Sequence, residues 1–262
     1  MNTSERQSDS QSNYAGKELL IKTEQDLKHY NAWIVSTFIR NVHKLSAETP
    51  VLDFGSGIGT LSQIFLNQSG IRPEGVELDD SQRNIYAARG FKAYAQLSDT
   101  PNAYPLIFTS NVLEHIEDDV ATLTSLKDKL TPGGLVLIYV PAFESIWTSM
   151  DNKVGHYRRY RQADLRAKLE QAGYVVKKSH YCDSLGFILA FFFKYLGNQN
   201  GEPSSWTLRV FDRVLLPLSK FMDLFFSPFF GKNVFAVAQK KRLILFGSAP
   251  SPCALLWEVH CG

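Results

Sequence analysis

Two hydrophobic textures alternate along the chain. Short apolar runs, four to eight residues long, fall at Val51–Phe54, Gly75–Leu78, Lys92–Ala95, Leu106–Ser110, Leu135–Val140, Tyr174–Lys178 and Asn233–Lys240. Runs of that length, bounded by Gly, Pro or Asp, predict strands, and the continuously apolar ones suit strands covered on both faces. Between them, apolar residues recur at three- and four-residue steps. Leu27, Tyr30, Ile34, Phe38, Ile39 and Val42 mark a helix within Lys17–Leu45, and Leu165 with Leu169 mark one over Gln162–Ala172. Further helices are expected over Thr60–Asn67, Ser81–Arg89 and Asp118–Leu130. Thr131-Pro132-Gly133-Gly134 reads as the turn that ends the last of these. Strands alternating with helices predict an α/β fold with a doubly wound, seven-stranded sheet.

One stretch breaks the alternation. About 50 residues, 181–231, separate the sixth and seventh strands, and with Phe235 they hold 11 of the chain's 18 Phe. Leu185–Phe193 is too short to span a bilayer. Trp206–Phe230 mixes Leu, Val and Phe with Arg209, Asp212, Arg213, Lys220 and Asp223, and Pro217 is expected to break it. The insertion reads as two amphipathic helices, fit for a membrane interface, an apolar lid or a dimer surface. Residues 1–16 are polar and lack an apolar signal core, so they read as a disordered start outside the domain at 17–241. The tail 242–262 reads as an irregular extension.

Composition narrows the class. A hydrophobic content of 44% excludes a mainly disordered chain, and a net charge of +2 gives no reason to expect a nucleic acid. Cys182, Cys253 and Cys261 are odd in number and widely spaced. They form neither a disulfide framework nor a metal-ligand cluster, so a reducing, cytoplasmic setting and no metal are expected.

The chemistry gathers around Val51-Leu52-Asp53-Phe54-Gly55-Ser56-Gly57-Ile58-Gly59-Thr60, a strand, a glycine turn and a helix start. A dinucleotide turn would carry glycine at position 60, where Thr stands. Asp53, two residues before Gly55, suits a cationic ligand better than a pyrophosphate. Glu77 ends the second strand 22 residues after Gly55, the spacing at which an acid can accept from both ribose hydroxyls. Asp79 reads as the cap of the next helix. Asp53-x-Gly55-x-Gly57-x-Gly59 resembles the cofactor motif of class I S-adenosylmethionine-dependent methyltransferases. The resemblance implies a Rossmann-like sheet with its last strand antiparallel. It also implies S-adenosyl-L-methionine held by Asp53, Gly55, Ser56, Gly57, Gly59 and Glu77. Leu78, Gln96 and Leu97 would lie by the adenine and Asn111 by the methionine part. Tyr30 and Trp33 either line that site or pack on the sheet.

Ser110-Asn111-Val112-Leu113-Glu114-His115-Ile116 resembles the strand-four end of small-molecule and lipid-quinone methyltransferases. Asp151-x-x-x-Gly155-His156-x-Arg158-Arg159-Tyr160 resembles a signature of bacterial methyltransferases, some encoded near glycan- and lipid-modifying enzymes. The loop carrying it would cover the acceptor. The reaction would be an in-line displacement, with the enzyme chiefly positioning the acceptor. An oxygen acceptor needs a nearby base, for which His156, oriented by Asp151 or Glu114, is the first candidate. His156 has the alternative role of tying the loop together. His115, Trp147, Tyr157, Arg158 and Arg159 are candidate acceptor contacts, although the two arginines could instead pair with Glu144 and Asp151. The implied acceptor is a small molecule or an amphipathic, lipid-linked one, methylated at oxygen, with carbon and amine acceptors open. Contact with the inner membrane face goes with that acceptor, and the oligomeric state is left undecided. The rivals are a nicotinamide oxidoreductase and a cofactor-binding protein that docks through the Phe-rich insertion without turnover. Nucleic-acid methylation is disfavoured, because strand four ends in Asn111-Val112-Leu113-Glu114.

Overall fold

A computed structural model describes residues 17–42, 45–101, 103–196 and 204–242. Among them, seven strands form one sheet in the order β3-β2-β1-β4-β5-β7-β6. The strands are β1 (Val51–Phe54), β2 (Glu74–Val76), β3 (Ala93–Tyr94), β4 (Tyr104–Ser110), β5 (Leu130–Pro141), β6 (Tyr174–Cys182) and β7 (Asn233–Lys240). All neighbours are parallel except β7, which runs antiparallel to β5 and β6.

Successive side chains of the central strands go to opposite faces, and the sheet is covered on both. Val136, Ile138 and Val140 of β5 join a core closed by Leu123 and Leu126 of α5 (Asp119–Lys129) and by Leu165 and Leu169 of α7 (Gln162–Gln171). Leu137 and Tyr139 join the opposite core, under Ile34, Val35 and Phe38 of α2 (Lys28–Arg40) and Phe65 of α3 (Thr60–Ser69). Phe65 stacks on Phe108 of β4 at 5.2 Å. α4 (Asp80–Ala88) follows β2 and is capped by the Asp79 carboxylate, which accepts from the Gln82 N–H at 2.8 Å.

The expected helix over Lys17–Leu45 is two helices, α1 (residues 17–26) and α2, separated at Leu27. The break has a cause. Asp212, far along the chain, accepts from the N–H groups of His29 (3.0 Å) and Tyr30 (2.7 Å) and so caps α2. The Thr131–Gly134 turn lies within β5, looped out between the pairs Tyr104–Leu130 and Leu106–Leu135. β6 runs four residues beyond its predicted end, because Lys178 to Cys182 pair with β7.

The insertion begins with α8 (Ser184–Leu196) and continues with α9 (Ser205–Val210), a π-helical stretch (Phe211–Leu215) and α10 (Leu216–Phe226). Pro217 does not break the second part. It falls in the first turn of α10, where its missing donor is tolerated, and the π turn before it absorbs the change of register. The expected disordered start at 1–16 and the tail at 243–262, with Cys253 and Cys261, lie outside the described residues. Cys182 is a buried free thiol.

Three non-glycine residues take left-handed backbone where the chain leaves the same edge of the sheet: Asn111 after β4 (φ 54°), Phe143 after β5 (φ 58°) and Asp183 after β6 (φ 63°). Such conformations persist only where the surroundings impose them, and they concentrate at functional edges.

Candidate active site

The glycine turn lies at the switch point of the sheet, where β1 has β2 on one side and β4 on the other. Crevices at such points, outside the carboxyl ends of the strands, are where α/β sheets bind ligands. Gly55, Gly57 and Gly59 all have positive φ, and the space beside them is taken. A Cβ on Gly55 would come within 2.2 Å of Val112, and one on Gly57 would meet Leu20 of α1 at 3.0 Å. The turn is thus pressed between the strand-four exit and α1. Arg89 holds α1 there through a two-pronged pair with Glu24 (2.6 and 2.9 Å).

Glu77 stands at the end of β2, with Oε2 accepting from the Gly57 N–H (2.8 Å) and Oε1 from the Asp79 N–H (2.9 Å). Burial raises its pKa, and those two bonds offset part of the effect. Asp53 lies beneath the turn, 3% exposed, and accepts from Ser62 Oγ of α3 at 2.7 Å. Burial pushes its carboxyl up to about 7, with the Ser62 bond opposing and Glu77 adding to the rise. Ser56 Oγ is buried without a partner. Leu78 is 78% exposed and Gln96 is exposed. Leu97 packs partly against the core in the short turn after β3. Asn111 is exposed at the end of β4, its N–H bonded to Tyr139 O (2.8 Å). Tyr30 and Trp33 pack in the core over the sheet, and Tyr30 OH meets Tyr139 OH at 3.0 Å.

The second part of the site begins two residues after Val112. Leu113–His115 form a single 3-10 turn, and α5 starts at Asp119, capped by Asp118, within a residue of the expected start. The loop after β5 is more ordered than its sequence suggests. It contains a 3-10 turn at Glu144–Ile146 and a short helix, α6 (Ser149–Lys153). The Tyr157 N–H donates to Glu114 O at 2.7 Å and binds this loop to the strand-four exit.

Asp151 organises the loop from within, 1% exposed. Its oxygens accept from the Thr148 N–H (2.8 Å) and from Arg159 Nε (2.8 Å) and Nη2 (3.0 Å), and Oδ1 meets His156 Nδ1 at 2.8 Å. Burial alone would raise its pKa, but His156 and Arg159 outweigh burial and hold the carboxyl well below the carboxylate range. His156 Nε2 faces Glu114 Oε1 at 3.9 Å. Glu114 is 0% exposed, and neither of its carboxylate oxygens has a hydrogen-bond partner. Burial pushes it up to about 8 despite the nearby charge of Arg159. The His115 ring lies edge-on to His156, centroids 4.6 Å apart. Surrounding protein, and then His156, hold His115 below the ordinary histidine range.

The structure therefore brings His115, Asp151 and His156 together, and Trp147 joins them, its ring 6.3 Å from His156. The two arginines turn inward. Arg159 is engaged by Asp151, while Arg158 Nη1 pairs with Asp119 (2.8 Å) and its Nη2 donates to Glu117 O (2.7 Å). Of the two uses that the sequence left open for them, the guanidinium groups show the internal one. Tyr157 is 56% exposed. Glu114 is the residue that sequence reasoning undervalued. A lone acid just after a strand gave no hint that it would be sealed from water.

The family described as "Methyltransferase domain" matches residues 27–179. No curated protein sequence matches the chain. Among solved structures, one relative comes from the complex between the Haloferax volcanii Trm112 methyltransferase activator and a methyltransferase. It has a TM-score of 0.59 at 13% identity, over 90% of this chain and 98% of that one. Geranyl diphosphate C-methyltransferase from Streptomyces coelicolor superposes with a TM-score of 0.56 at 13% identity, over 79% of each chain. Phosphoethanolamine N-methyltransferase 2 from Haemonchus contortus gives 0.55 at 15%, over 84% of this chain and 58% of that one. The chain belongs to the methyltransferase-domain family. It has the fold of S-adenosylmethionine-dependent enzymes such as the last two.

Proposed function

We propose that the chain transfers the methyl group of S-adenosylmethionine to a hydroxyl of a small or amphipathic, lipid-linked acceptor, working at a membrane surface. The left-handed glycine turn and the buried, unpartnered Ser56 Oγ fit a ligand that approaches the backbone closely. In this reading Asp53, Gly55, Ser56, Gly57 and Gly59 cradle the donor, Glu77 takes the ribose hydroxyls, and Leu78, Gln96 and Leu97 flank the adenine. Asn111 faces the methionine part. The bound donor supplies an activated methyl group; the chain orients the acceptor and receives its proton. His156, held by Asp151 through Nδ1, presents Nε2 as the proton acceptor, and His115, Trp147 and Tyr157 face the acceptor. Arg158 and Arg159 act from behind, as the ties that fix the loop.

The observation that carries the acceptor class is the inverted polarity of α10. Leu218, Phe221, Leu224 and Phe225 of α10 are all exposed, Leu224 by 74%, as are Val214 in the π-helical stretch before it and Phe229 in the turn after it. Asp212 and Ser219 face inward and are buried, and Asp223 caps the start of α8 through the Asp183 and Ser184 N–H groups (2.9 and 2.8 Å). A helix that turns apolar residues outward over several turns suits a lipid interface. Among the described residues no helix is long and apolar enough to cross a membrane. α8 also adjoins the acceptor loop, since Phe187 packs against Phe143 (5.2 Å) and Lys194 Nζ donates to Ser145 O (2.8 Å).

The test is direct. The protein should bind S-adenosylhomocysteine but not NADH in a calorimeter, and should pass labelled methyl groups to the lipid-soluble fraction of a cell extract. Binding of NADH alone, or label confined to the aqueous fraction, would overturn the reading.

A further inference from the structure

Glu114 is hard to explain by packing alone. A carboxylate with no exposure and no hydrogen-bond partner loses its hydration for nothing in return, and native interiors rarely tolerate that. What surrounds it is specific. One ligand atom each from Glu114, His115 and His156 lies within 4.8 Å of the other two. The His156 ring is tied from behind. Asp151 Oδ1 holds His156 Nδ1 at 2.8 Å, so that Nε2 turns toward Glu114. The His115 ring packs edge-on to that of His156, centroids 4.6 Å apart. Nε2 and the Glu114 carboxyl face each other at 3.9 Å, too far apart for a hydrogen bond, with room for an ion between them. Histidines whose outer nitrogens are bonded to a carboxylate or a backbone carbonyl, with the inner nitrogens converging beside a carboxylate, form the usual second layer of a metal site.

We propose that Glu114, His115 and His156 bind a first-row divalent cation such as Zn2+, with the remaining coordination positions open to the acceptor. Two imidazoles and one carboxylate are a donor set that Zn2+ and its neighbours accept with room for another ligand. Glu114 and His115 follow two and three residues after Val112, which lies against the glycine turn, so the open positions face the same crevice as the methyl donor. The role of the ion rests on the methyltransferase reading above: bound there, it would acidify a coordinated acceptor hydroxyl, and His156 would serve as ligand rather than as base. The hydroxyl proton would leave to water. The resulting oxygen would attack the methyl carbon as the carbon–sulfur bond breaks, and S-adenosylhomocysteine would depart neutral.

The experiment titrates the chelator-stripped full chain with Co2+ and follows visible absorption. One ion per chain is expected, displaced by Zn2+. His115→Ala, at an exposed position, and Glu114→Gln should each weaken binding by about 100-fold or more, given that even outer-layer losses cost up to about 100-fold. S-adenosylhomocysteine affinity should stay unchanged in both, which also reports that they are folded. No Co2+ uptake by the parent chain, or uptake unaffected by His115→Ala and Glu114→Gln, overturns the site and leaves His156 as the base. Failure of the methyltransferase reading would show separately, as loss of S-adenosylhomocysteine binding by the parent chain.

Discussion

The two halves of the crevice are built in different ways. The donor half is made by backbone. Three left-handed glycines, the end of β2 and the exit of β4 lie within about sixty residues of sequence, and the contacts that shape the turn are made by its main-chain N–H groups, Gly55 and Ser56 to Val76 O and Gly57 to the Glu77 carboxylate. The acceptor half is organised by side chains of the loop after β5, which then docks on the β4 exit and on α8. Asp151 gathers Thr148, His156 and Arg159, the Tyr157 N–H reaches back to Glu114, and α8 closes on Phe143. A backbone cradle serves one invariant ligand. A side-chain network can be retuned residue by residue, which suits the half that must choose an acceptor.

The sharpest way to break this division is His156→Ala. It should lower label transfer by about 100-fold to 10,000-fold, the usual worth of a positioned acid–base group or ligand, with S-adenosylhomocysteine affinity unchanged by calorimetry. A parallel loss of donor affinity would show that the halves are not separable. Next comes the surface of α10. Replacing Leu224 and Phe225 together by Asp should cut partitioning onto anionic liposomes by about 100-fold in a flotation assay, from about 1.5–3 kcal/mol for each large apolar side chain buried. Melting should barely move, because both residues are exposed. Glu77→Ala should weaken S-adenosylhomocysteine by about 10- to 100-fold, from the loss of charged hydrogen bonds, and leave liposome binding intact. Unchanged donor affinity would remove the ribose role.

The smallest effect concerns stability. Burial raises the Asp53 carboxyl to about 7 in the folded chain from an ordinary value near 3.8. The folded state therefore holds the proton more tightly than the unfolded chain. Its stabilising contribution is full below the ordinary value and is lost as the pH rises toward 7. Asp53→Asn should match the parent near pH 4 and melt several degrees higher at pH 8, by differential scanning calorimetry. A melting difference that does not change with pH would refute the buried-charge account.

Legibility in the sequence follows the same division. Strand runs, the glycine spacing and the Gly55–Glu77 interval are local, and the sheet that forms places them together at the switch point. The Asp79 cap was legible for the same reason. The fate of Arg158 and Arg159 was not, because whether a guanidinium meets a ligand or an internal carboxylate depends on Asp119 and Asp151 being close in space. Glu114 and His156 are 42 residues apart, and no spacing rule joins them. α10 misled in another way. Its mixed composition reads as an ordinary amphipathic helix, yet only the packing of Asp212, Ser219 and Asp223 shows that the polar side faces in.

The Asp212 cap has a consequence for how this protein can be changed. The carboxylate that begins α2 belongs to the insertion, and Arg209 beside it pairs with Asp26 at the end of α1 (2.7 Å). A chimera that grafts residues 181–231 onto another scaffold would bring half of a joint and leave the other half behind. A chain trimmed of those residues would lose the start of α2. The transplantable unit is therefore discontinuous: residues 17–40 must travel with the insertion, and lineages that gained or lost one would have had to remodel the other.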